Sequence, residues 1–253
     1  MMAANKEPGL RRGPKRFYKA VSVASDEGGY RVLLDGRPIR TPAKTMFVVP
    51  GAKLAEAVVA EWAAQEAHID PASMPLTRLS HTAVDRVVGR EAEIIKEVTE
   101  FAASDLLCYR ADHPEELADR QAAAWDVWLD WAETELGGRL KAVRGVVPVE
   151  QDPAVLGRFS VVLEELGAFA LAGLHNAVSL TGSAVLGLAL ARSALDAAAA
   201  FEVAHLDERW QAALWGEDAE AMARLASRRD ELAVAERFLR LLDDDRESGG
   251  YAR

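Results

Sequence analysis

Four side chains at helical spacing suggest the chemistry of this chain: Phe201, Glu208, Gln211 and Trp215, in the stretch FEVAHLDERWQAALWGEDAE. Drawn at about 100° per residue, they share one face with Ala204. Val203, Leu206, Trp210 and Leu214 form an ordinary apolar face nearly opposite, with Trp210 as its anchor into the core. A surface helix needs only one apolar stripe. A second stripe that gathers a carboxylate, an amide and an indole must meet another helix, a ligand or a partner. A carboxylate beside an indole suits either an active site or pairing with a partner's arginine, and the residues alone leave the two open. Gly216 then breaks the helix.

Other residues offer weaker chemistry. His81 and Asp85 lie at i and i+4 on one helix face, with Glu91 or Glu93 within reach in sequence. This is the basis of an alternative reading, a small-molecule enzyme with a helical, metal-assisted site. Zinc sites generally take three protein ligands, and a lone His/Asp pair is more often a local hydrogen bond. His175-Asn176 reads as a pair of satisfied polar groups between helices, and His205 as a half-exposed surface histidine. Trp125, Trp128 and Trp131 drift around their helix, so one or two belong to the core. Their neighbours Asp126, Asp130 and Glu133 argue against stacking on nucleic acid. Trp62 is expected to anchor the first helix to the strands before it. No phosphate loop, dinucleotide fingerprint, H-E-x-x-H or G-x-S-x-G is present.

Charge narrows the partners further. The formal net charge is −10, but residues 1–50 hold ten Lys/Arg against four Asp/Glu, and the remainder holds 20 against 36. An acidic body disfavours nucleic acid. The basic start, with Arg11, Arg12, Lys15 and Arg16, reads as a flexible terminus over residues 1–15. A single cysteine, Cys108, excludes a disulfide framework. No apolar signal core follows the basic start, so the chain reads as soluble and intracellular. The 26 uncharged residues from Leu166 to Ala191 are long enough to span a bilayer. Thr181-Gly182-Ser183 interrupts them as a helix stop and a cap, so two buried helices fit better than one spanning helix.

The elements that must position these residues follow from periodicity. Phe17–Ala24, Tyr30–Leu34, Arg37–Thr41 and Met46–Val49 read as a small antiparallel meander, with Asp35-Gly36 as a hairpin turn. Helices are expected at about Gly51–Ala67, Leu76–Val88 and Glu91–Ala103. Another opens at Asp112-His113-Pro114-Glu115 with a capping box. A short hairpin over Leu140–Val149 and a capped start at Asp152-Pro153 lead into nearly continuous helix. Leu225, Leu232 and Leu239 repeat at seven residues, which predicts packing along another helix. The class is α+β: a small antiparallel β-rich N-terminal domain with a helix (16–90), then a larger, mainly α-helical C-terminal domain (91–253).

Ordered segments along most of the chain carry a family resemblance. They are Arg16-Phe17-Tyr18, Leu34-Asp35-Gly36-Arg37-Pro38-Ile39-Arg40-Thr41-Pro42, Ala60-Glu61-Trp62 with Gln65, and Met74-Pro75-Leu76-Thr77. Asp105-Leu106-Leu107-Cys108-Tyr109-Arg110, Trp125-Asp126, and Leu206-Asp207-Glu208 with Gln211 and Trp215-Gly216 complete the set. In order and spacing the chain resembles the chaperones that assemble the catalytic (F-one) sector of the F-type ATP synthase, in the family whose client is the alpha subunit. The resemblance implies a non-enzymatic assembly factor without cofactor or metal, which keeps unassembled alpha subunit from aggregating until beta replaces it. It implies no membrane insertion, and a monomer is expected. The compartment would be a bacterial cytoplasm, or the mitochondrial matrix in a eukaryote. The family's acidic motif favours Glu where this chain has Asp207, so Asp207 and Glu208 both stand as candidates for the functional acid. The helical wheel favours Glu208.

Overall fold

Asp35 and Gly36 both adopt positive φ, 47° and 77°. They close a tight hairpin whose twist suits its strands, as the Asp-Gly pair predicts. The structure is a computed structural model and describes residues 13–247; Arg11 and Arg12 of the basic start lie outside them. The hairpin joins β2 (Gly29–Leu34) to β3 (Arg37–Pro38). β1 (Val21–Asp26) pairs antiparallel with β2 from Val21 opposite Leu34 to Asp26 opposite Gly29. β4 (Val48–Val49) returns to β2 beyond β3, with Tyr30 opposite Val49. The expected meander is therefore present, although only β1 and β2 are long. The chain is already tied down before Arg16: Lys15 bridges His68, and the Ile69 N–H donates to the Pro14 carbonyl at 2.8 Å.

α1 (Ala52–Ala63) buries Leu54, Ala55 and Val58 against the sheet and stops short of the expected Ala67. The stop is made by side chains. Gln65 accepts from the Asp70 N–H at 2.6 Å and donates to the Ser73 hydroxyl at 3.0 Å, which turns the chain away. Glu61 then accepts from the Leu76 and Thr77 N–H groups, each at 2.7 Å. It thereby caps α2 (Pro75–Thr82), whose own N-cap residue, Met74, has no side-chain acceptor. α2 runs into one wide helical turn, Ala83–Val87. α3 (Glu91–Ala103) has its expected bounds.

Two expectations in the middle of the chain are corrected. α4 (Glu115–Leu136) has Pro114 at its N-cap and no side-chain cap, so Asp112 does not form a capping box. Tyr109–Arg110 (β5) pairs in parallel with Val143–Arg144 (β6), so Leu140–Val149 is not a local hairpin. Two residues of long-range pairing left no local period to read.

The helical layer follows. α5 (Pro153–Glu164) is capped by Asp152, which accepts from the Ala154 N–H at 2.8 Å. α6 (Ala168–Thr181) ends at Gly182 with φ 68°, and Ser183 caps α7 (Ala184–Ala191) through the Leu186 N–H. Both helices are buried, as expected from the uncharged run, and no helix among the described residues is long and apolar enough to cross a membrane. α8 (Ala197–Ala204) and α9 (Leu206–Trp215) lead to α10 (Ala219–Glu247). Leu225, Leu232 and Leu239 of α10 are buried, and the helix packs chiefly on α6, α8 and α1. One continuous core runs from Val32 and Phe47 of the N-terminal part to Phe238 and Leu242 of α10.

Candidate functional site

The stretch expected to be one helix is two. Asp196 caps α8 through the Ala199 N–H at 2.7 Å, and Ala197, Ala200, Phe201 and Ala204 are buried. At His205 the backbone leaves helical geometry (φ −108°, ψ 29°), and α9 restarts at Leu206. The His205 ring lies on Phe201 at 4.5 Å between centroids, and its Nδ1 sits 3.1 Å from the Phe201 carbonyl oxygen. His205 is buried, not half-exposed. Phe201 therefore belongs to the core and not to the exposed stripe, because the break resets the helical phase.

The reset also exposes the face expected to be core. No residue of α9 is buried; Leu214 is exposed and Trp210 half-buried. Trp210 anchors α9 to α4 and not to the core: the Arg120 guanidinium lies over its ring at 4.5 Å. Gln121 donates to Asp207 at 2.7 Å while accepting from the Ala111 N–H at 2.6 Å. One turn on from Gln121, the enclosed Trp125 donates its indole N–H to the Val203 carbonyl at 2.9 Å. The Arg110 guanidinium lies over that ring at 4.8 Å and pairs with Asp126 at 2.6 Å. Asp207 thus turns inward as a tether, and Glu208, one residue on, is exposed.

Glu208, Gln211 and Trp215 line one wall of a groove of about 320 Å³. Met222, Leu225 and Arg228 of α10 line the other. Trp215 is 78% exposed at the end of α9, and Gly216 follows with φ 90°. Asp218 caps the start of α10 through the Ala221 N–H at 2.7 Å. Among the described residues Arg228 makes no ion pair, whereas Arg224 pairs with Glu220 at 2.6 Å. The groove therefore presents an indole and a thioether flanked by one free anion and one free cation. Such a surface can seat an amphipathic segment and fix its register by charge. The α10 wall and the Gln121 tether carried no local sequence signal, since both are set by tertiary packing.

The remaining candidates are packed or paired within the fold, although the buried His81 Nε2 has no hydrogen-bond partner among the described residues. Asp85 accepts from the Thr41 hydroxyl at 2.6 Å and from the Ala43 N–H at 3.2 Å. His81 packs edge-on to Phe47 at 4.6 Å, and burial holds its imidazole below the ordinary value. Glu91 accepts from the Gly89 N–H, and Glu93 pairs with Arg90. No group of three His, Cys, Asp or Glu among the described residues is placed to hold a metal. His175 faces Glu97 at 3.1 Å. Trp62 meets Tyr18 edge-to-face at 5.7 Å and accepts the Tyr18 hydroxyl at its carbonyl, joining α1 to the strands. Trp128 and Trp131 are half-buried neighbours. Burial pushes the Cys108 thiol up to about 12, which leaves it unreactive.

Comparison with known proteins gives this surface a context. Residues 15–133 match the family described as ATP12 chaperone protein. The crystal structure of Atp12 from Paracoccus denitrificans superposes with a TM-score of 0.87 at 42% identity, covering 90% of this chain and 98% of that one. The chain belongs to the ATP12 chaperone family. This is an assembly-chaperone family of the ATP synthase. A lysine-for-aspartate mutant of P. denitrificans Atp12p matches equally well, with a TM-score of 0.87, 42% identity, and coverage of 90% and 97%. Protein atp12, mitochondrial, from Schizosaccharomyces pombe is 23% identical over 214 residues, spanning 80% of this chain and 74% of the relative. The α+β ATP12 fold presents α9 from its helical part.

Proposed function

We propose that this ATP12-family chaperone holds the unassembled alpha subunit of the F-type ATP synthase, and that the α9–α10 groove is a contact for it. The observation that carries this is Trp215: an indole 78% exposed at the tip of a helix with no buried residue, beside Glu208 and Gln211. A single exposed aromatic is ordinary, but an indole that shares a groove with Met222 and Leu225 between charged ends is the kind of surface a protein partner covers. A subunit awaiting its neighbour exposes apolar surface, and covering it needs complementary area, not a catalytic group. Glu208 and Arg228 would set the register, and the assignment of Glu208 over Asp207 as the partner-facing acid rests on their opposite orientations.

On this reading the protein is a monomer without cofactor or catalytic step. It works in a bacterial cytoplasm, or in the mitochondrial matrix of a eukaryote. Co-expression with the alpha subunit alone, followed by size exclusion, tests the proposal. Co-elution as a defined complex, with alpha kept soluble, is expected. Alpha that still aggregates, with the chaperone eluting alone, would overturn it.

A further inference from the structure

A second cleft, of about 670 Å³, lies at the other end of the chain, between the first strands and α1. Phe17 stands at its mouth, 73% exposed. Phe17 meets Tyr18 edge-on at 5.4 Å, and Tyr18 meets Trp62 at 5.7 Å, so the three rings form a supported ladder. Pro38 and Ile39 contribute further apolar lining. The Trp62 indole N–H is buried without an acceptor. A buried donor left unpaired is costly, so this end of α1 is not fully satisfied within the fold.

The rim is basic. Among the described residues neither Arg37 nor Arg40 makes an ion pair; Arg40 only donates to the Lys44 carbonyl at 2.8 Å. Asp35, the single acid of the lining, is already spent: its carboxylate accepts from the Lys19 N–H at 3.0 Å and the Ala20 N–H at 2.8 Å. Those two amides hold its carboxyl below the usual range, so it stays a satisfied anion turned toward the backbone. Arg16 and Lys19 add positive charge close by. A net-positive apolar cleft on a chain of formal charge −10 is a local reversal that complements an acidic ligand.

We propose that this cleft binds an extended acidic segment of a protein partner, seating one apolar side chain against Phe17 and Trp62 while carboxylates pair with Arg37 and Arg40. The acidic remainder of the chain would repel the long phosphate backbone of a nucleic acid, whereas a short peptide meets only the basic rim. The cleft is built from residues 17–62 and stands independently of the α9–α10 groove.

The test is fluorescence anisotropy on the full chain with a fluorescein-labelled peptide alternating glutamate with leucine around a central phenylalanine. Binding that weakens with added salt is expected, reduced about tenfold or more by Arg37→Glu and by Phe17→Ser. Val147→Ser, a similarly exposed apolar site elsewhere, should leave it unchanged. Arg37 makes no contact whose loss would unfold the protein, and a circular dichroism melt checks that each variant folds. Absence of binding, equal binding of the lysine counterpart, or indifference to Arg37→Glu would overturn the proposal. So would tighter binding of a single-stranded oligonucleotide, or a wild-type dimer that Arg37→Glu dissociates.

Discussion

Gln121 on α4 donates its amide to the Asp207 carboxylate on α9 at 2.7 Å, across 86 residues of sequence. The same amide group accepts from the Ala111 N–H at 2.6 Å, so one side chain ties the start of α9 to the loop before α4. α9 has no buried residue; this bond, the Arg120–Trp210 stack, the Arg209–Glu202 pair and the packing of Leu206 on the core orient it. The tether keeps Glu208 and Trp215 facing the groove while leaving both exposed.

Breaking the tether should weaken the protein unequally. Asp207→Ala removes one charge-assisted bond. Gln121→Ala removes that bond and also leaves the Ala111 N–H without its acceptor, so it should cost more. A double-mutant cycle by urea unfolding is expected to give a coupling of about 1–2 kcal/mol. Strictly additive losses would show that the two side chains do not interact in solution.

Glu208→Lys and Trp215→Ala should separate binding from stability. Both side chains are exposed, and neither fills the core, so each change should alter unfolding free energy by less than about 0.5 kcal/mol. Association with the alpha subunit, measured by co-elution or titration, should fall at least about tenfold for each variant. Asp207→Ala should lower both quantities, because it acts through the position of α9. Unchanged association for Glu208→Lys would remove that residue from the contact.

Much of the fold was legible because its signals are local. Asp35-Gly36, Asp152-Pro153 and Thr181-Gly182-Ser183 each set a turn or cap through the residues named, and Leu225, Leu232 and Leu239 mark the buried side of α10. The stripe of α9 was legible in part. Glu208, Gln211 and Trp215 do share a groove wall, but Phe201 does not, because a helical wheel assumes a constant phase and His205 interrupts it. The β5–β6 pair and the Gln121–Asp207 tether join residues far apart in sequence, so no window of the chain contains either.

Gly173 of α6 faces Phe238 and Leu239 of α10 at close range. A Cβ there would lie 2.9 Å from Leu239 Cδ2 and 3.1 Å from Phe238 Cδ1. Gly173→Ala raises helix propensity yet forces two buried side chains to shift. The crowding should win, with a net loss of about 1–3 kcal/mol in denaturant unfolding. Because Phe238 stacks on Phe169 at 6.2 Å, the strain should spread to the start of α6, and near-UV circular dichroism should report it. A stabilised variant would show that α10 can slide away freely.

His205 gives the α8–α9 joint a pH dependence of definite sign. Burial lowers its imidazole below the ordinary 6.5, while the Phe201 carbonyl and Glu208 favour the charged form and Arg228 opposes it. For a base depressed on folding, the contribution to stability is fully present above the unfolded value. As pH falls through 6.5 the unfolded chain takes up the proton first, and stability is lost until the folded value is passed. Asp105 works the other way: enclosed in the protein, its carboxyl is raised to about 6, so protonation adds stability as pH falls through that value. The two contributions overlap, and comparison with His205→Gln isolates the first. Between about pH 7.5 and 5.5 the wild type should lose more unfolding free energy than the variant, because only the wild type carries the depressed imidazole. The loss should be accompanied by faster amide exchange in α9, which hangs from this joint. Equal slopes for the two proteins would show that His205 titrates alike in the folded and unfolded chain.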